Sequence, residues 1–445
     1  AQRGKVTRSM VRATTEEGIG EGAATPTVPT LRQREVLVAM MGQVFIIMLG
    51  IGIVGPVTPL YAQSFGVGAA MVGGLTTSFG IARILMNIPA GTLTERIGRR
   101  PLLILGPLIT ALAALLTGLA AQFGQLIVFR FLQGLGSAAQ TTAAMTVMAD
   151  ITNREGRGRA MSFYQGSLLL GSGMGPTVGG LVAEHFGFRA PFFLYAALAA
   201  CAALWALLRV PETRGFQKEA TARPGRRSAA RPGDVPTGRV VWEHLTDLNF
   251  VLISLVTLAI FFTRTGSRST VLPLFGDNRL GLSPGQLGIT FTVIAAFNLL
   301  TINWSGLLSD KYGRKAVIVP AAVLSGLSLL AFSYCRSYAA FLCSGALLGL
   351  GTGMAGPAPA AYVADLARPG SYGLTMGIYR TFGDVGVSVG PVLLGWIADR
   401  FGFSPALWAN GLLFVVAGLA FGLFARETVA RPSPQLSVIS HQSRK

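Results

Sequence analysis

The chain has 445 residues, and its 37 Lys and Arg against 19 Asp and Glu give a formal net charge of +18. Only 13% of residues are charged and 51% are hydrophobic, far from the roughly 25% charged of soluble domains, which excludes a water-surrounded globule. The basic excess is dispersed over several short loops, not gathered into one patch, so nucleic acid is excluded as the expected partner.

Residues 1–36 form a polar tail. It has no secretory signal pattern, and its start at Ala1 is compatible with a trimmed targeting peptide, although Glu16, Glu17 and Glu21 argue against a transit peptide. Six apolar stretches follow, at about 37–62, 69–92, 101–121, 125–149, 158–183 and 191–209, each long enough to cross a bilayer as a helix. Residues 210–248, rich in Arg, Pro, Gly and Ala, read as a disordered linker. Its end, Val240 to Leu245, predicts a short helix on the membrane surface. Six more stretches lie at about 249–275, 285–308, 316–335, 338–364, 372–398 and 405–425, before a tail over 426–445. The expected fold is all-α and integral to the membrane: twelve transmembrane helices in two six-helix bundles, 37–209 and 249–425. Abundant glycine, 57 residues, fits helices that approach closely without a hydrophobic drive between them. Cys201, Cys335 and Cys343 sit in or beside the apolar spans and read as packing residues.

The two halves repeat at an offset of 215. Gly91 to Arg100 (GTLTERIGRR) returns as Gly306 to Lys315 (GLLSDKYGRK). The same offset links Gly134 to Gly349, Asp150 to Asp365, Tyr164 to Tyr379, Gly175-Pro176 to Gly390-Pro391, Gly180 to Gly395 and Glu184 to Asp399. Two parallel membrane halves of this kind usually close around a substrate path, related by an axis along the membrane normal. With both termini cytoplasmic, the outer loops hold only Arg189, Arg279, Arg336 and Arg400, and five arginines lie inside spans. All the other Lys and Arg fall on the cytoplasmic side, as the positive-inside rule requires. The expected membrane is a bacterial inner membrane, with an organelle envelope left open by the tail.

These motifs resemble the major facilitator superfamily over nearly the whole chain. Gly91, Glu95, Arg96, Gly98, Arg99 and Arg100 match its loop motif between helices 2 and 3, with Glu95 where the family usually has Asp. Gly306, Asp310, Gly313, Arg314 and Lys315 match the twin between helices 8 and 9. Arg130 to Gly136 resembles its helix 4 motif. Gly171, Gly175, Pro176, Gly179 and Gly180 match the helix 5 motif of its exporter branch, the twelve-span drug/proton antiporters. The resemblance implies that the loop motifs, with Asp150 and Asp365, lock an inner gate; without it they also read as plain positive loops. It implies for Pro176 a bend in a helix between the halves, against generic small-residue packing.

Charges deep in a span are functional candidates by default. Of the 19 acids only Asp384 lies near mid-span, about twelve residues or roughly 18 Å from the cytoplasmic side. Arg380 is one turn earlier, and Tyr379 adjoins it. The pair reads either as a proton-titratable carboxylate with a changing partner or as a static ion pair. Arg83, Arg130, Arg264 and Arg268 are the other intramembrane cations, and Arg264 and Arg268 are spaced to share a helical face. If they line one cavity with Gln133, Gln165, Asn298 and Tyr379, an anionic small-molecule substrate fits; internal pairing is the competing reading. Helix 1 carries no acid between Gln43 and Pro56, so coupling by a helix 1 carboxylate is excluded. No nucleotide loop, metal cluster or nucleophile constellation points to an enzyme, a cofactor or a metal.

The leading expectation is a monomeric secondary transporter, in a lipid bilayer, that exports a small organic molecule in exchange for protons. An organic-anion exchanger or uniporter without proton coupling is one alternative. A transport-inactive sensor or scaffold is another.

Overall fold

A computed structural model of the chain describes residues 31–151, 157–213, 237–367 and 372–428. The expected terminal tails and much of the linker lie outside the described residues. Among the described residues twelve helical spans cross the molecule, and they are labelled α1 to α12. The first half holds α1 (Leu31–Val54, resuming as Val57–Gln63), α2 (Ala69–Ile97), α3 (Arg100–Leu119), α4 (Phe123–Ile151), α5 (Arg157–Phe186) and α6 (Ala190–Arg209). The second holds α7 (Leu248–Phe262, a π-helical stretch Thr263–Val271, then Leu272–Leu280), α8 (Pro284–Tyr312), α9 (Lys315–Ser333), α10 (Tyr338–Ala355 and Ala358–Leu366), α11 (Tyr372–Phe401) and α12 (Phe403–Phe424). A further short helix, Thr237–Thr246, precedes α7 where the sequence predicts one.

Local sequence sets many of these boundaries. Proline interrupts α1 at Gly55-Pro56 and α10 at Gly356-Pro357, where it removes a backbone donor. Ser283 and Gln286 form a capping box at the start of α8. Ser337 and Asp247 cap α10 and α7. Gly98 and Gly313 end α2 and α8 with φ of +101° and +100°, a region that side chains resist.

Ten spans are long and apolar enough to cross a membrane by composition alone. The others, α4 and α5, have 29 and 30 residues but carry more Gly, Ser, Thr and Gln. Both are packed among neighbouring helices, where lipid contact is not the main constraint.

Helix packing repeats. α1 packs on α5 and α6, α2 on α4, and α3 on α4 and α6. Adding six to every label gives the second half: α7 on α11 and α12, α8 on α10, and α9 on α10 and α12. The halves are joined most extensively by α2 with α11 and by α5 with α8, which the same shift exchanges, and α7 also touches α1 and α2.

The glycine motif of α5 divides its work differently from the expectation of an inter-half helix face. Backbone atoms of α1 lie where a Cβ on Gly171, Gly175 or Gly179 would go, so these three fit α5 to its own half. Gly180 faces Pro284 and Gly288 of α8 across the interface. Helical spacing explains this, since positions four apart share one face and the next residue turns to another. Pro176 and Pro391 sit inside continuous helices.

Candidate functional site

The loop motifs lie on one face, called the basic face here. Gly98 turns the chain between α2 and α3, and Arg99 is then buried. Its Nε donates to Asp150 Oδ2 at 2.9 Å and its Nη1 to the Thr94 carbonyl at 3.2 Å. Both side chains of this ion pair are almost fully buried. Thr213 donates to the same Asp150 oxygen at 3.0 Å. Glu212 accepts from the backbone N–H groups of Arg99 and Arg100, capping α3.

The second half repeats the arrangement. Arg314 pairs with Asp365 at 3.2 Å and also with Asp310. Thr428 donates to Asp365 at 2.9 Å, and Glu427 accepts from the N–H groups of Arg314 and Lys315. Burial works against the Arg314 charge, but the bonds to Asp310 and Asp365 outweigh it and raise the proton affinity of the guanidinium. Glu212-Thr213 and Glu427-Thr428 were not among the expected residues, although they too are 215 apart. Glu95 and Arg96 are exposed. Each described ion pair of these motifs joins residues of one half.

The opposite face is closed between the halves. Gln63 and Asn278 exchange hydrogen bonds at 3.2 and 3.1 Å. Glu184 reaches the start of α8 and Asp399 the start of α2. Deeper, Thr77 donates to the Ser388 carbonyl at 2.7 Å, and Thr177 pairs with Thr292 at 2.8 Å. A surface groove of about 410 Å³, lined in part by Tyr61, Phe186 and Arg189, also lies on this face, away from the mid-span charges.

The mid-span charges meet beyond these contacts. Asp384 lies near the middle of the 30-residue α11. It is exposed, as are Arg380 and Arg264, while Arg83 is half-buried. Asp384 lies within electrostatic reach of Arg380 and Arg83, and Arg83 within reach of Arg264. Three helices from the two halves, α2, α7 and α11, therefore bring one carboxylate and three guanidinium groups into a single accessible region. These side chains are thus accessible at mid-depth beneath a closed face, and the region they share is called the vestibule.

Several other expected cavity residues are used in contacts between helices. Gln133 has no exposed surface, and it donates to Thr117 and accepts from Arg130 at 2.8 Å. It is thus removed from the cavity wall, because it bonds an arginine and a buried threonine at once. Arg130 also lies 5.3 Å from the Phe79 ring centroid, within its own half. Tyr379 is buried and accepts from Thr257 on α7, and Asn298 donates to Thr352 on α10. Gln165 is exposed on α5. Arg264 and Arg268 are neighbours in the π-helical stretch instead of on an α-helical face, and Arg268 lies 6.0 Å from the Phe291 ring centroid. Among the described residues no group of His, Cys, Asp and Glu is placed to hold a metal ion.

Comparison with known proteins places this architecture. The chain is 25% identical over 400 residues to Multidrug resistance protein 2 of Bacillus subtilis, covering 87% of this chain and 94% of that protein. It is 22% identical to the Quinolone resistance protein NorA of Staphylococcus aureus, over 88% of this chain and 97% of that one. A bacterial homologue of the human lysosomal transporter Spinster, solved in an inward-facing and occupied conformation, shares the fold with a TM-score of 0.71 and 18% identity. It covers 87% of this chain and 96% of that one. The family model for the Major Facilitator Superfamily matches residues 40–301 and 256–443. With its twelve spans, its repeated halves and this match over nearly its full length, the chain belongs to the Major Facilitator Superfamily and is an integral membrane transporter, not an enzyme.

Proposed function

We propose that this transporter exports a small organic molecule by alternating access, with the bundles 37–209 and 249–425 rocking about the vestibule and Asp384 carrying the exchanged proton. The observation that carries the proposal is the placement of Asp384. It is exposed at mid-depth, with Arg380 on its own helix and Arg83 on the facing half within electrostatic reach. Rocking moves α2 relative to α11, so the distance from Asp384 to Arg83 changes with the state. A carboxylate whose cationic partner comes and goes binds its proton with an affinity that depends on conformation. That dependence is what exchange requires. The basic face is read as cytoplasmic because most Lys and Arg lie there. The relatives named for multidrug and quinolone resistance support export and a small organic substrate.

The excess of guanidinium groups over carboxylates in the vestibule favours substrates bearing an anionic group, which Arg can engage bidentately. The protein is proposed to work as a monomer, since each chain encloses its own path.

The experiment is substrate flux in proteoliposomes with and without an imposed pH gradient. Wild type should accumulate substrate only with the gradient. Asp384→Asn, which mimics the protonated form, should exchange substrate but lose uphill accumulation. Uphill transport by Asp384→Asn at the normal rate would remove Asp384 from coupling. Flux indifferent to the gradient in wild type would favour an anion exchanger.

A further inference from the structure

We propose that the closed face is held by a two-fold latch, in which each half's acid is matched in length to the helix start it caps on the other half. The latch stands apart from the coupling role of Asp384, since no vestibule residue takes part in it.

Its symmetry is read from the hydrogen bonds. Gln63 and Asn278 occupy the same position in the two repeats and bond to each other in both directions. A residue that meets its own mate lies on the two-fold axis of the interface, as in any isologous contact. The two acid caps are also mates. Glu184 Oε2 accepts from the Gly285 N–H at 3.0 Å and from the Ser283 hydroxyl at 3.1 Å. Asp399 Oδ1 accepts from the Ala69 N–H at 2.7 Å and Oδ2 from the Ala70 N–H at 2.9 Å. Helix starts leave such N–H groups without internal partners and concentrate positive potential there. Each acid therefore makes charge-assisted bonds to the opposite half.

The lengths are matched by the cap residue. Ser283 precedes α8 and its hydroxyl already accepts from the Gln286 N–H. The longer Glu184 reaches past it. The equivalent position before α2 is Gly68. A Cβ there would lie 2.7 Å from Asp399 Oδ2, so the shorter acid occupies the space a side chain would take. The Gly68 backbone, φ −73° and ψ 170°, is one any residue adopts, so its glycine serves clearance and not conformation. Long acid goes with serine and short acid with glycine. Opening this face must break both caps and the axial amide pair together.

The test uses the full chain in nanodiscs, with Cys201, Cys335 and Cys343 replaced and spin labels at Gln122→Cys and Arg336→Cys, which are exposed on the closed face of the two halves. Glu184→Ala and Asp399→Ala should each raise the open-to-closed ratio by roughly threefold to tenfold, by similar amounts because the sites are mates. Gly68→Ser should also open the face, while Gly68→Ser with Asp399→Glu, which copies the other site, should restore the wild-type distance distribution. Serine is a favourable cap, so these variants are expected to fold, and a thermal melt of each checks it. Alanine variants with unchanged distances, or a double variant as open as Gly68→Ser alone, would overturn the latch.

Discussion

Arg99 and Arg314 occupy the same place in the two repeats but not the same environment. The Arg99–Asp150 pair is almost wholly buried, whereas Asp310 and Asp365 around Arg314 are 72% and 33% exposed. Removing one partner of a buried pair strands the other, at a cost of about 3–5 kcal/mol. Exposed pairs are worth about 0–1 kcal/mol. Arg99→Ala should therefore lower thermal stability much more than Arg314→Ala, and Arg99→Ala with Asp150→Ala should recover part of the loss. Equal melting shifts for the two single variants would contradict this. The pairing of Arg99 with Asp150 was legible in the sequence because both recur in register. Glu212 and Glu427 recur equally well, yet they stand at the ends of the sixth and twelfth spans, where a charge beside a linker or tail needs no explanation. Gln133 misled for the opposite reason: a glutamine on a polar stripe has the same spacing whether it faces a cavity or a neighbouring helix, and only packing decides.

Among the helices, α5 and α7 depart most from what periodicity implies. Gly179 of α5 lies against the backbone of Ile53, while a Cβ on Gly166, in the same helix, would meet open space. Gly179→Ala should destabilise by about 1–3 kcal/mol through overpacking. Gly166→Ala should be neutral or stabilising by up to about 1 kcal/mol, since alanine favours the helix. Thermal melts of the two variants separate a fitted contact from a general glycine effect. In α7, the π-helical stretch is anchored by Asn410 of α12, which is fully buried and donates to Thr263 at 2.9 Å and to Ser267 at 2.6 Å. Asn410→Leu leaves these hydroxyls without that partner and should cost about 1–3 kcal/mol. The sequence places arginines four apart in α7, but it carries no sign of the widened turn. That geometry depends on a residue about 145 positions away, beyond the reach of any local pattern.

The whole molecule is closed between its halves on one face, by contacts that the repeat relates to one another. The axial amide pair and the two acid caps come as mates, so this face makes or breaks as a set. The two-half architecture was legible from the single offset, whereas the state was not, because the same sequence must build both the open and the closed face. If the vestibule opens to the basic face, Thr381→Cys, exposed one residue beyond Arg380, should react with a membrane-impermeant thiol reagent applied to that face. Reaction only from the opposite face would reverse the assignment. Proton exchange at Asp384 is the point on which the proposed mechanism stands or falls. Proteoliposomes loaded with a pH-sensitive dye and given an outward substrate gradient report it without an imposed pH difference. Substrate leaving wild-type vesicles should drive protons inward and acidify the lumen, while Asp384→Asn should release substrate with no pH change. Equal acidification by the Asp384→Asn protein would contradict the mechanism and place the proton on another group.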